Sequence, residues 1–314
     1  MSRVVFFGSP SDATTSLHAI NVAGHEIAAV YTRPDRPAGR SGDPVQTPVK
    51  SAALEMGLEV ATPESLRDPD EHSALRSLGA DAFLVVAYGR LLPAGVLEIP
   101  PLGILNLHPS LLPLYRGPSP VATAILEGVE TTGVTVILLD EGMDTGPVLA
   151  RSEPIPIRED DTKDSLTSRL FELGARLLVG TLEGVERGSI TPIAQDEARA
   201  TTTRLLKRAD GEIDWAKPAD QIERQVRAYD SWPGTFTSWG SRNLKIIAAR
   251  ALPADLGEPG MAPGQVEVAG ESLFIGTGDG RIEAIRVQLE GRRAVSASEF
   301  LRGQSSIAGT TLGD

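Results

Sequence analysis

Val4-Val5-Phe6-Phe7 runs without a polar break and stops at Gly8-Ser9-Pro10. A short continuous apolar run closed by turn residues is the pattern of a strand buried on both faces of a parallel sheet. Working outward, Ser11 to Val22 carries helical spacing until Gly24 breaks it, and Ile27 to Tyr31 reads as a second strand. Thr47 to Met56 is a second helix, closed by Gly57. Ala82 to Ala87 (AFLVVA) repeats the buried-strand pattern, and so do Gly103 to Leu107 and Val134 to Leu139. Strands that alternate with helices build βαβ units and a sheet covered on both sides. The expected fold is α/β, a doubly wound, mostly parallel sheet.

Helical periodicity is long from Thr162 to Glu186, with Leu166, Leu170, Leu173, Leu177 and Leu178 on one face. After Gly188 the sequence turns polar. Beyond Arg208 short strand-like runs lie between Gly and Pro turns: Thr235 to Trp239, Leu244 to Ala248, Gln265 to Val268, Leu273 to Ile275 and Ile282 to Val287. That texture predicts a small C-terminal β-barrel. The expected division is a first domain at 1–188, a linker at 189–208 and a second domain at 209–314.

The chain has 314 residues and no cysteine, which excludes thiol nucleophiles, disulfide scaffolds, iron–sulfur clusters and Cys-based zinc sites. Four histidines, none at helical metal-ligand spacing, give no reason to expect a metal. No apolar stretch is long enough to span a bilayer, and the apolar start is too short for a signal peptide, so a cytoplasmic protein without a membrane partner is expected. The net charge of −12 argues against a polyanion as partner, although most of the excess acid falls within residues 1–206.

The segment with the most chemistry is Asn106-Leu107-His108-Pro109-Ser110-Leu111-Leu112-Pro113, at the end of an expected strand. Open α/β sheets bind ligands at carboxyl strand ends. Period-two alternation puts Asn106 and His108 on one face. Asp140-Glu141-Gly142-Met143-Asp144-Thr145-Gly146 follows another strand, so two adjacent strand-end loops are expected to join an amide, an imidazole and a carboxylate. An Asn donates to a developing oxyanion, and a His that a carboxylate keeps charged donates a proton. Ser110 is not on a nucleophile elbow. The set suits acyl transfer by direct attack of a bound amine. Taken alone, His108 is also compatible with a strand-end histidine bonded to backbone, and Asp140, Glu141 and Asp144 with turn formers around Gly142.

The combination N-L-H-P-S-L-L-P, Arg116-Gly117, Pro120, T-G-V-T-V (132–136) and D-E-G-M-D-T-G resembles the folate-dependent formyltransferases. A narrower set is similar to the branch that formylates methionyl-tRNA. It comprises Phe6-Phe7-Gly8-Ser9-Pro10, Thr32 to Arg40 (TRPDRPAGR), Thr47-Pro48-Val49-Lys50 and Val85 to Pro93 (VVAYGRLLP). It continues in Ile213-Asp214-Trp215, Arg227-Ala228-Tyr229 and Trp232-Pro233. The resemblance implies a formyltransferase-like Rossmann variant with an OB-like barrel. It makes Asn106, His108 and Asp144 the catalytic set and 10-formyltetrahydrofolate the co-substrate, with no metal. It places the folate against Tyr88, Gly89, Arg90, Leu91 and Leu92, against Ser110, Leu111, Leu112 and Pro113, and against Asp140, Glu141 and Gly142.

For the nucleic acid, the resemblance implies that the loop carrying Arg33, Arg36 and Arg40 contacts the acceptor end of a methionyl-tRNA substrate, with the C-terminal domain as a further tRNA-binding element. A monomer is expected. Where the family carries a Gly followed by two Lys, this chain has Ser41-Gly42-Asp43, which exchanges a positive pair for a neutral and a negative residue. With the net acidity, this narrows the expected RNA contact to local arginines. A formyltransferase acting on a nucleotide-sugar amine, and a formyltetrahydrofolate hydrolase, are the alternatives.

Overall fold

The computed structural model describes residues 1–37, 43–253 and 260–313. Two compact units emerge. The first comprises Met1–Pro120, Thr131–Pro156 and Thr167–Thr203, and the second Val121–Glu130, Ile157–Leu166 and Arg204–Asp314. The boundaries differ from the sequence expectation. Residues 157–166 join the second unit through polar contacts: Arg227 donates to the Asp161 carbonyl at 3.0 Å, and Ser231 Oγ donates to Asp164 at 3.0 Å. The expected linker at 189–208 is tied into the first unit as far as Thr203, with Ile193 and Val148 exchanging backbone hydrogen bonds of 2.8 and 2.9 Å.

The first unit is built on seven strands: β1 (Arg3–Gly8), β2 (Glu26–Tyr31), β3 (Val60–Ala61), β4 (Ala82–Val86), β5 (Ile104–His108), β6 (Thr135–Leu138) and β7 (Val148–Arg151). Their order is β7-β6-β5-β4-β1-β2-β3. The five strands from β5 to β3 pair in parallel, and β6 and β7 are antiparallel to their neighbours. The first helix, α1 (Ser11–Val22), has the bounds its spacing predicts. The second, α2 (Pro48–Glu55), starts where Thr47 Oγ1 accepts the Lys50 N–H at 3.1 Å and proline occupies the first turn. Phe7 sits at the centre of the core. Its ring lies 5.0 Å from Tyr31, 5.5 Å from Phe83 and 5.4 Å from Tyr88.

The second unit carries an antiparallel sheet of β8 (Thr235–Trp239), β9 (Arg242–Leu252), β10 (Val266–Ala269), β11 (Ser272–Gly276) and β12 (Arg281–Leu289), in the order β8-β9-β12-β11-β10. Residues 309–313 bind both of its edges. Val266 N–H donates to the Thr310 carbonyl at 2.9 Å on the β10 side, and Gly313 N–H donates to the Ser238 carbonyl at 3.0 Å on the β8 side. The tail closes what would be an open sheet, in keeping with the expected barrel. Ile246, Leu273, Ile282 and Val287 fill its interior. Among the described residues, no helix is long and apolar enough to cross a membrane.

Candidate active site

Strand β5 ends on Asn106-Leu107-His108, and alternation brings Asn106 and His108 to one face. The carboxylate reaches them by a route the sequence does not predict. Because β6 is antiparallel to β5, with His108 opposite Thr135 and Leu105 opposite Leu138, the chain leaves β6 at the far end of β5. The two loops are therefore not adjacent carboxyl ends of parallel strands. The hairpin between β6 and β7 instead doubles back. Asp144 then accepts from Asn106 Nδ2 at 3.4 Å through Oδ1, and its Oδ2 lies 3.4 Å from His108 Nδ1. The Gly117 N–H, at 2.8 Å, holds the same Oδ2. Asp144 itself adopts φ 56°, a left-handed conformation that non-glycine residues seldom take. Such strain persists where the surroundings enforce it.

His108 is 4% exposed. Its Nε2–H donates to the Tyr115 carbonyl at 3.0 Å, which fixes the tautomer and leaves Nδ1 facing Asp144. Burial pushes the imidazole pKa below its ordinary 6.5, while the Asp144 charge and the Tyr115 carbonyl pull it up; burial prevails. The expectation that Asp144 keeps His108 charged is thus reversed for the free protein, where the ring is neutral near pH 7. A histidine held neutral by folding contributes stability above the unfolded pKa, near 6.5, and that contribution is lost as pH falls through the lower folded value. Replacing His108 by Asn is accordingly expected to flatten the loss of stability in denaturant melts as pH falls below about 6.5. An unaltered slope would refute the assignment.

The structure places the other expected residues as follows. Tyr88 is buried, which pushes its hydroxyl pKa above the ordinary 10, while the neighbouring Arg90 pulls it down. The Tyr88 carbonyl accepts from Ser9 at 3.2 Å. Gly89 has φ 75°, and the Arg33 guanidinium lies over it, 3.7 Å from where a Cβ would stand. Arg33 therefore belongs beside the Tyr88–Leu92 loop. Arg90 donates to the carbonyls of Pro63 and Glu64. Leu91 is exposed, and Leu92 packs on the Phe7 core. Ser110 Oγ donates to the Leu114 carbonyl at 2.6 Å, and the Ser110 carbonyl accepts from Thr135 at 2.7 Å. Both groups shape the loop, in which Leu112 is buried and Leu111 half-buried ahead of Pro113. Asp140 Oδ1 accepts from Gly142 N–H and Thr145 Oγ1, forming the turn that the second reading of this motif allowed, while Glu141 is exposed. Arg36 sits exposed on a two-residue strand, Arg36–Pro37, paired with Pro44–Val45. Arg40 lies outside the described residues, as do Ser41 and Gly42.

Sequence reasoning missed a polar cluster behind Asp144. Arg116 is buried and forms an ion pair with Glu197 at 2.7 Å. Its guanidinium also donates twice to Gln195 Oε1, at 3.1 and 3.0 Å. Gln195 Nε2 donates to the carbonyls of Asp144 and Gly146, at 2.8 and 2.7 Å. Thr201 accepts the Tyr115 N–H through its hydroxyl and the Arg116 N–H through its carbonyl. The Arg116-Gly117 dipeptide was visible as a motif, but nothing in the polar run 189–203 marks Gln195 as buried. Among the described residues, no group of three or more His, Cys, Asp or Glu is arranged to hold a metal ion.

Comparison with known proteins matches residues 2–182 to the family described as Formyl transferase and residues 205–305 to Formyl transferase, C-terminal domain. A methionyl-tRNA formyltransferase of Roseiflexus sp. strain RS-1 is 49% identical over 313 residues, covering 99% of this chain and 95% of that one. Among solved structures, HypX from Aquifex aeolicus in complex with tetrahydrofolic acid superposes with a TM-score of 0.67 at 21% identity. That match covers 96% of this chain and 47% of HypX, so the chain spans about half of HypX. The N-formyltransferase of Helicobacter canadensis, with folinic acid and dTDP-3-aminofucose, superposes with a TM-score of 0.67 at 21% identity, covering 90% of this chain and 99% of that one.

Proposed function

This chain belongs to the formyl transferase family, and from that premise we propose that it moves the formyl group of 10-formyltetrahydrofolate to the α-amine of methionyl-tRNA. The observation that carries the reading is the meeting of Asn106 and His108 at the single carboxylate of Asp144, with no thiol anywhere in the chain. Without a covalent nucleophile, the site suits direct attack of an amine on the formyl carbon. Asn106 spends one amide N–H on Asp144, and its second is available to the oxyanion that forms. The neutral His108, with Asp144, takes the proton that the amine sheds and returns it to the departing folate nitrogen. Asp144 is the outer member of the pair, its side chain 15% exposed against 5% for the imidazole, and relays the proton.

The donor fits the loops by their chemistry. Leu91 and Leu92 offer apolar surface, and the backbone of Tyr88 to Leu92, Ser110 to Pro113 and Asp140 to Gly142 offers edges for a pterin. Folates bound in two solved relatives of the same fold favour this reading. We assign catalysis to the first unit, residues 1–188 together with the segment to Thr203 that packs behind Asp144, and a share of tRNA binding to the barrel within 209–314, acting as a monomer in the cytoplasm. Arg33, Arg36 and Arg40 serve the acceptor end. Arg36→Ala is expected to raise KM for methionyl-tRNA about tenfold with KM for the folate unchanged, the effect of losing one charge-assisted contact. Equal KM values in both proteins would remove Arg36 from that role.

The reaction is tested by incubating the protein with 10-formyltetrahydrofolate and methionyl-tRNA and measuring N-formylmethionyl-tRNA against free formate. A parallel sample carries a nucleotide-linked amino sugar. Formate alone, or formylation of the sugar only, would overturn the proposal.

A further inference from the structure

We propose that Gln195 is a positioning residue for the transfer, holding Asp144 in place through the carbonyls of Asp144 and Gly146. The inference rests on Asp144 being one of the reacting groups. Both ends of the Gln195 amide are fully engaged. Both carbonyls of the hairpin accept from Nε2, at 2.8 and 2.7 Å, and Oε1 accepts twice from Arg116. The residue is only 9% exposed, so a lost partner is not replaced cheaply by water.

What it holds is a residue that needs holding. Asp144 at φ 56° is in a conformation disfavoured for a side chain with a Cβ, and its carboxylate contacts to Asn106 and His108 are long, at 3.4 Å each. Pinning the carbonyls on both sides of Thr145 sets the direction in which the Asp144 side chain leaves the backbone. Gln195 is itself braced. Ile193 pairs with Val148, and Arg116 is clamped by Glu197 at 2.7 and 2.8 Å. Arg116 also follows Tyr115, whose carbonyl receives His108 Nε2–H. One buried strut therefore reaches both members of the His108–Asp144 pair from behind.

Gln195→Glu isolates the two donors. It keeps the size of the side chain and an oxygen for Arg116, whose pairing strengthens, but turns acceptors toward two carbonyls. Expected is a fall in kcat per folded molecule of about 10- to 100-fold with KM for both substrates within about twofold, beyond what the lower melting temperature of a variant that strands two carbonyls accounts for. In the free protein, the His108 titration followed by NMR is expected to move to lower pH, because the carboxylate that raises it is no longer held beside Nδ1. A wild-type His108 titration, whether kcat is wild-type or falls with the folded fraction, would overturn the proposal. If Gln195→Glu does not fold, Gln195→Met, of similar length with neither donor nor charge, carries the same expectation. The titration is read without substrate. Absence of N-formylmethionyl-tRNA from the wild-type protein would refute the proposed reaction, whereas an unmoved titration would refute the role of Gln195.

Discussion

Asp144→Asn lowers kcat by roughly 10²- to 10⁴-fold while the protein stays folded. Asn is the informative replacement because of the backbone. At φ 56°, Asn is among the side chains that tolerate the left-handed region, whereas Ala adds strain and confounds chemistry with stability. An Asn oxygen still accepts the Gly117 N–H, now 2.8 Å from Oδ2, so the loop keeps its anchor. The negative charge beside His108 Nδ1 and the second proton acceptor are removed. Since Asp144 opposes the effect of burial, the His108 pKa drops further below 6.5 in the variant. Steady-state turnover, a thermal melt and an NMR titration of His108 together check the expectation. Near-wild-type kcat would sink the proton relay.

Gly146→Ala has the second large effect, on the same site by a different cause. A Cβ on residue 146 would stand 1.8 Å from the Leu138 carbonyl oxygen and 3.3 Å from the Asp140 nitrogen. Both are backbone atoms, so no side-chain rotation relieves the clash. The hairpin has to open where the Leu138 N–H meets the Pro147 carbonyl at 2.9 Å. The cost is about 3 kcal/mol, at the upper end of ordinary overpacking. Displacing Asp144 by as little as an ångström costs about 10²-fold in turnover. Denaturant melts and kcat measure the two effects. A stable, fully active variant would show that the hairpin bends without cost.

Period and burial were legible in the sequence, whereas direction and depth were not. The apolar runs mark five of the seven strands of the first sheet, not Val60–Ala61 or Val148–Arg151, and the two-residue period puts Asn106 and His108 on one face. A run such as Val134 to Leu139 has no arrow, however, so its antiparallel course beside β5 was hidden, and with it the return of Asp144 over the sheet. Depth misled the charge of His108. A carboxylate partner is visible in a motif, but the desolvation that outweighs it depends on what covers the end of β5. Arg116 and Gln195 escaped for the complementary reason. Polar residues in a polar stretch look solvated, and only tertiary pairing shows that they are enclosed. The helix Ala219–Ala228 is hard to see in a polar stretch, although Ile222 and Val226 lie on one buried face.

The closure of the second sheet by residues 309–313 has a consequence for the life of the polypeptide after synthesis. Those five residues cover the backbone of β10 and β8 at once. A protease or a premature stop that removes them deletes no side chain of the candidate site. It nevertheless bares two strand edges, each a template for pairing with another copy. The clipped product is therefore a catalytic unit attached to an adhesive barrel. Its failing is loss from solution rather than loss of chemistry, and protection against that fate is lodged in a strip of backbone.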